Sequence, residues 1–143
     1  MAKPKLADVL ATVPLFRGLP RRHLKRVAEL CDVADYMAGH TIVKEGEPGD
    51  SFYVVLSGQA KVTANGRFLK RVLPGDEFGE ISLLDGGVRT ASVISETPMT
   101  LLVLSRANFL KALRDEPELA LHVMTEIAGM FRRVAQDVEA PGP

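Results

Sequence analysis

The sequence has no tryptophan, one cysteine in 143 residues and no excess of charge of either sign. The 18 Lys and Arg residues balance 18 Asp and Glu residues, so no overall positive field would attract nucleic acid or an anionic membrane. Any anion site must therefore be local. The lone Cys31 cannot form an internal disulfide and favours a reducing compartment, for which we predict the cytoplasm.

Clustered metal ligands, nucleophile motifs and long apolar runs are also missing. No run approaches the roughly 18 apolar residues of a membrane span. His23, His40 and His122 are far apart in the sequence, which argues against a metal-dependent, cupin-like enzyme. No serine or cysteine has the surroundings of a catalytic nucleophile. We therefore predict a protein without enzymatic activity, metal or cofactor, which contacts neither membranes nor, by this chain alone, nucleic acid.

What the sequence does contain is a change of periodicity along the chain. Residues 5–31 have helical spacing, residues 32–105 carry short β-type runs separated by turn residues, and residues 106–138 are helical again. Many short strands at roughly 8–12-residue spacing favour a sandwich, a jelly roll or a small barrel. We predict a single α+β domain over residues 1–143, with a β-roll between N-terminal and C-terminal helices.

Individual elements follow from the same patterns. The predicted strands are Thr41–Val43, Ser51–Leu56, Ala60–Ala64, Phe68–Val72, Thr90–Ile94 and Met99–Leu104. The predicted helices are Lys5–Ala11, Pro20–Cys31, a short turn over Glu80–Leu84, Arg106–Arg114, and a long helix from Pro117 to about Val138. Asn65-Gly66 predicts a type I′ hairpin, because both central residues of that turn need a positive φ.

The long last helix carries two adjacent apolar rows. The first consists of Leu119, Val123, Ile127, Met130 and Val134, and the second of Leu121, Met124, Ala128, Phe131 and Ala135. A helix packed on one core usually needs a single stripe about 100° wide. The second row therefore either packs into the same core or forms a second contact surface, such as the seam of a homodimer.

The segment with the most distinctive chemistry is residues 78–93. Gly79 lets the backbone approach a ligand closely, and the first amides of a helix starting at Glu80 have no intrahelical partner. Arg89 follows across a Gly-Gly loop, so its guanidinium can meet an anion held on those amides. Glu80 would repel a phosphate alone, but it suits a ligand that also carries hydroxyl donors, as a ribose does.

These residues resemble the phosphate-binding cassette of the cyclic-nucleotide-binding domain family, found in kinase regulatory subunits, gated channels and catabolite-activator-like regulators. The similar segments are Gly79-Glu80-Ile81-Ser82-Leu83-Leu84 with Arg89-Thr90-Ala91, residues 42–58 and residues 15–19. The resemblance covers about residues 8–137 and implies a double-stranded β-helix, or jelly roll, with a short cassette helix and two C-terminal helices.

The resemblance also implies a role for each matching residue. Glu80 would accept a hydrogen bond from the ribose 2′-hydroxyl, and Arg89 would bind the phosphate oxygens. The other implied ligand-binding positions are Gly79, Ile81, Ser82, Thr90 and Ala91, and the implied caps over the base are Phe131, Val134 and Ala135. In the alternative, Glu80 and Arg89 pair with each other, and the domain is a ligand-free docking platform for another protein.

The choice of base and the downstream partner follow less directly. The Thr90 hydroxyl suits the guanine 2-amino group, but it also occurs in relatives selective for cyclic AMP. An apolar cap accepts adenine, and we therefore favour cyclic AMP over cyclic GMP.

The loop over residues 85–88 lacks the proline common in relatives, so we expect it to be more mobile, with Asp85 pointing to solvent. The family implies a sensor whose last helix moves on binding and acts on an effector protein or fused effector domain, in a chain that stands alone or belongs to a larger receptor.

Overall fold

The computed structural model describes residues 3–139, and the side chains of residues 5–138. The helices are α1 (Lys3–Leu10), α2 (Arg21–Glu29), α3 (Glu80–Asp85), α4 (Arg106–Asp115) and α5 (Pro117–Glu139). The strands are β1 (Asp32–Tyr36), β2 (Thr41–Val43), β3 (Ser51–Ser57), β4 (Ala60–Ala64), β5 (Arg67–Val72), β6 (Glu77–Phe78), β7 (Ser92–Ser95) and β8 (Met99–Ser105).

The strands form two antiparallel four-stranded sheets, which confirms the predicted α+β fold with a jelly-roll core. One sheet has the order β1-β8-β3-β6 and the other β2-β7-β4-β5. The hairpin between β4 and β5 turns at Asn65 and Gly66, whose φ values of 52° and 73° are both positive, as the Asn-Gly pair predicts.

Strand β3 separates two buried apolar clusters because its side chains alternate between the faces of the sheet. Phe52 and Val54 belong to the cluster shared with the helices, whereas Tyr53 and Val55 belong to the interior of the roll. In the helical cluster, the ring of Phe16 packs edge-on against Phe52 and Phe109, with centroids 6.3 Å apart in both pairs. The N-terminal and C-terminal helices therefore cover the same face of the roll.

The structure answers the question of the two apolar rows on α5. The first row starts in the helical cluster, where Leu119 is fully buried and Val123 nearly so. The second row faces away from the domain, with Leu121 64% and Phe131 74% exposed. The two rows therefore do not share one core, and the second is an unpartnered apolar face. No helix within residues 3–139 is long and apolar enough to cross a membrane.

Candidate ligand-binding site

Arg89 is the central group of the site and is unusually buried for an arginine, at 7% exposed. Its Nη2 donates a hydrogen bond to the backbone oxygen of Ser51 at 2.9 Å. Its Nη1 is buried as well, and among the described residues no atom accepts a hydrogen bond from it. The guanidinium therefore presents one free donor group in a place where water contact is small.

Two glycines make room for this guanidinium. A Cβ atom on Gly49 would overlap Arg89 Nε and would lie 2.6 Å from Ser82 Oγ. A Cβ atom on Gly79 would lie 2.8 Å from Arg89 Nη1, and Gly79 has a positive φ of 89° besides. Sequence reasoning identified Gly79 but missed Gly49, because nothing in the turn around Gly49 shows that an arginine 40 residues later packs on it.

The cassette loop is tied to the segment between β2 and β3. The Arg89 amide donates to Glu47 O at 2.8 Å, the Gly46 amide donates to Arg89 O at 2.9 Å, and Val88 forms a β-bridge with Pro48. The side chain of Asp85, expected to point to solvent, is exposed and accepts a hydrogen bond from the Gly87 amide at 2.7 Å. These contacts tie the loop to its neighbours, and the greater mobility expected of residues 85–88 stays a prediction.

Helix α3 brings its first turn to the same place. Gly79 precedes the helix in the left-handed conformation, and the first intrahelical bond runs from the Leu83 amide to Gly79 O at 3.1 Å. The amides of Glu80, Ile81 and Ser82 therefore have no partner within the helix.

A cavity of about 150 Å³ brings together all seven ligand-binding positions predicted from the sequence. Its walls are Val43, Val62, Lys70, Glu77, Phe78, Gly79, Glu80, Ile81, Ser82, Arg89, Thr90, Ala91 and Val93. One end is polar, around Arg89 and Glu80, and the side contributed by β2, β4 and β7 is apolar. Lys70 and Glu77 were not predicted, since a charged residue in a short strand gives no sign of facing inward.

The electrostatics of the cavity leave Arg89 without a carboxylate partner. Among the described residues no ion pair joins Arg89 to Glu80, the pairing expected of a degenerate cassette. Burial raises the pKa of Glu77, and the nearby charge of Glu80 raises it further. Burial likewise raises the pKa of Tyr53, whose ring stacks on Phe78 with centroids 4.8 Å apart.

The predicted base caps do not line this cavity. Phe131 and Val134 are exposed and Ala135 is half-buried, and their capping role stays a prediction. The inner face of α5 instead reaches the back of the site. A second cavity, of about 310 Å³, is lined by Met130 and Arg133 of α5 together with Glu77 and Glu80, which also line the first cavity.

Comparison with known proteins decides the family. Residues 33–116 match the model of the cyclic nucleotide-binding domain, and this range contains every residue that lines the first cavity. The chain belongs to the cyclic nucleotide-binding domain family. The family resemblance inferred from the cassette is thereby confirmed.

A protein kinase and two transcriptional regulators are similar to the chain. The cGMP-dependent protein kinase egl-4 of Caenorhabditis elegans is 35% identical over 96% of this chain and 18% of the kinase. A CRP-like cAMP-activated global transcriptional regulator of Mycobacterium tuberculosis is 30% identical over 88% of this chain and 58% of the regulator. The solved N-terminal domain of a transcriptional regulator from Streptomyces coelicolor A3(2) is 31% identical, with a TM-score of 0.85 over 94% of this chain and 97% of that domain. The chain thus spans less than two thirds of the two full-length relatives and nearly all of the isolated domain.

Proposed function

We propose that this chain is a sensor, without enzymatic activity, that binds a cyclic nucleotide beside Arg89 and transmits binding through α5. The observation that carries the proposal is the buried guanidinium whose Nη1 has no hydrogen-bond acceptor among the described residues. A buried cation without a counter-ion is costly. A cyclic phosphate supplies both a negative charge and acceptor oxygens in the geometry that arginine prefers.

The other parts of the ligand have matching groups in the cavity. The free amides at the start of α3 add donors to the phosphate, and Thr90, whose amide the family resemblance also assigns to the phosphate, lines the same cavity. An ionised Glu80 carboxylate only accepts hydrogen bonds, which suits the ribose 2′-hydroxyl. The apolar wall formed by Val43, Val62 and Val93 suits a purine ring.

We favour cyclic AMP over cyclic GMP as the ligand. The mostly apolar wall accepts adenine without requiring partners for the polar edge of guanine. Guanine would instead use polar partners, with the Lys70 ammonium donating to its O6 atom and the Thr90 hydroxyl accepting from its 2-amino group. One of the relatives is named as cGMP-dependent and the other as cAMP-activated, so the choice rests on the cavity.

Coupling to α5 is proposed to run through apolar packing. Leu83 of α3 is fully buried in the same cluster as Leu119 and Val123 of α5, and Leu84 and Ile127 pack against that cluster. Because protein interiors are close-packed, a shift of α3 on binding changes how the side chains of this shared cluster pack against α5. The ligand moves α5 only to the extent that it binds the two arrangements differently. The receiver is then an effector protein or a fused effector domain.

The exposed row of α5 supports a homodimer. Leu121, Met124, Ala128, Phe131, Ala135 and Val138 follow one another at alternating intervals of three and four residues, which is the a and d spacing of a coiled coil. We call this row the seam, and we propose that a second copy of the chain covers it. Phe131 and Ala135 belong to the seam and Val134 lies beside it, and all three keep their proposed role as caps over the base.

Calorimetric titration with cyclic AMP and cyclic GMP tests the sensor. Arg89→Ala should weaken binding by at least tens of fold, because truncating one partner of a buried charge-assisted pair costs about 2–5 kcal/mol. Arg114→Ala, on an exposed part of α4, is the matched control and should bind as the unmodified chain does. Absence of heat at millimolar ligand, from protein with a folded circular dichroism spectrum, would overturn the sensor and favour the docking platform. The ratio of the two affinities identifies the base.

A further inference from the structure

His23 lies where α2 contacts the junction between α4 and α5. Its side chain is only 5% exposed, and its two ring nitrogens face carboxylates on the two sides of that junction. Nε2 lies 2.9 Å from Oε2 of Glu118, in the first turn of α5. Nδ1 lies 3.1 Å from Oε2 of Glu116, the residue that ends α4 with φ −130° and ψ 83°. A single imidazole therefore spans the joint that sets the direction of α5.

The protonation of the ring decides how many of these contacts are favourable. A neutral imidazole has one N–H, so it donates to one carboxylate and turns a lone pair towards the other. An imidazolium donates from both nitrogens and attracts both carboxylates. The Nδ1 contact with Glu116 is close but not aligned as a hydrogen bond, so it depends most on the positive charge of the ring.

The charges around His23 come from both sides of the contact. On α2, Arg22 donates to Glu118 at 3.0 Å and Arg26 donates to Asp115 at 3.0 Å. Three carboxylates at the joint thus face two guanidiniums and one imidazole. The hydrogen bond with His23 is the main cause that lowers the pKa of Glu118, followed by the charge of Arg22. The other charged or titratable groups nearby are Asp8 paired with Arg21, Glu29 paired with Arg26, and His122 one turn further along α5.

We propose that His23 is a proton-operated latch on the α4–α5 joint: the imidazolium holds Glu116 and Glu118 together, and loss of its proton releases Glu116 and loosens the first turn of α5. The sign follows from the geometry. The double contact needs a proton on both ring nitrogens, so it is favoured in acid and is lost when one of those protons leaves. The latch acts on the joint itself, so it does not depend on the ligand proposed above.

Hydrogen exchange of the full chain, followed by mass spectrometry from about pH 6 to about pH 8, tests the latch across the imidazole range. At each pH the protection of residues 112–124 is divided by that of residues 99–105 in β8, which cancels the pH dependence of intrinsic exchange. In the unmodified chain this ratio should fall by about tenfold as pH rises, the effect of losing one charge-assisted contact. His40→Gln, in the turn between β1 and β2, is the control and should keep this pH profile.

Two variants make the outcome decisive. His23→Gln removes the titrating ring, and Glu116→Gln leaves the Glu118 hydrogen bond in place while removing the second carboxylate. His23→Gln should give a ratio that is flat with pH, whereas Glu116→Gln should keep only a smaller step, because the charge-assisted contact with Glu118 remains. A flat ratio in the unmodified chain, a pH step that survives in His23→Gln, or a step of full size in Glu116→Gln would overturn the proposal. If His23→Gln does not fold, the Glu116→Gln result alone decides, because that side chain is partly exposed and its loss leaves the core intact.

Discussion

The surroundings of Arg89 and the outer face of α5 differ in whether this chain supplies the groups that contact them. Around Arg89, the chain itself supplies the acceptor at Ser51, the loop contact at Glu47 and the space at Gly49 and Gly79. On α5, the domain buries the start of the inner row at Leu119 and Val123, while most of the seam is exposed among the described residues. One chain thus supplies the groups of the proposed anion site, whereas the proposed signalling surface is specified only as a pattern that a partner must match.

The largest effect is expected from disturbing the space around Arg89. Gly49→Ala places a methyl group where the guanidinium lies. Gly49 does not have a positive φ, so the substitution disturbs the space around Arg89 and not the backbone conformation. We expect a loss of nucleotide affinity of about a hundredfold, since the arginine must leave its place and a buried charge-assisted contact is lost. Titration calorimetry measures this.

Gly129→Ala is the matched control for that change. Gly129 lies in the middle of α5, where an added Cβ meets only Arg133 Nη1 at an ordinary 3.5 Å. This variant should bind normally and gain about 0.5–1 kcal/mol of stability, because alanine favours a helix over glycine. Equal losses of affinity in both variants would show that the space at Gly49 has no special role.

The second-largest effect is a difference in the free energy of unfolding when the same substitution is made in each row of α5. Leu119→Ala removes a fully buried side chain and should lower the free energy of unfolding by about 2–5 kcal/mol. Leu121→Ala removes an exposed one and should change it by less than about 0.5 kcal/mol in dilute protein. Urea denaturation at low concentration gives both values. Similar values for the two variants would contradict the division of α5 into a buried and a free row.

The third effect concerns the seam alone. Phe131→Glu should abolish self-association at micromolar concentration, because it removes about 2 kcal/mol of apolar burial per copy and places a charge at the centre of the interface. Gln136→Glu adds the same charge at an exposed position outside the seam and should leave the mass unchanged. Light scattering across a concentration series measures both, and a Phe131→Glu protein of unchanged dimer mass would exclude the seam as the interface.

The smallest effect is a shift in pH dependence at the back of the cavity. Burial and Glu80 raise the pKa of Glu77, so the folded state holds this proton to higher pH than the unfolded state does. Ionisation of Glu77 therefore opposes folding, with no cost in acid and a growing cost as pH rises through its folded-state pKa. Glu77→Gln should raise Tm near neutrality by an amount equivalent to less than about 1 kcal/mol, and not in acid. Asp137→Asn should show no such difference in calorimetric scans.

The strands and turns differ in how far their own residues determine them. The Asn65-Gly66 turn and β4 follow from residues within each element, and the structure reproduces both. Strand β1 was missed, because its short run is mostly exposed and becomes a strand only by pairing with β8. Strand β6 was missed because two residues carry no periodicity, and β7 starts at Ser92 rather than Thr90, which stays in the cassette.

The limits on predicting the site have a similar cause. Gly79 through Ala91 is one continuous segment, so its seven binding positions were identified together. Gly49 and Lys70 join the site only because the roll closes. The two rows of α5 are equally apolar in the sequence, and only the orientation of the helix on the domain separates a buried row from a seam.

The position of Arg89 has a consequence for the timing of the signal. Its guanidinium is held by Ser51 and seated against two glycines by the chain alone, so the proposed binding of a phosphate needs no rearrangement at that end. Association should therefore proceed at the usual rate for a rigid site, and substitutions in α5 should change mainly how long the nucleotide stays. In this molecule the roll would set how quickly a signal begins, and α5 how long it lasts.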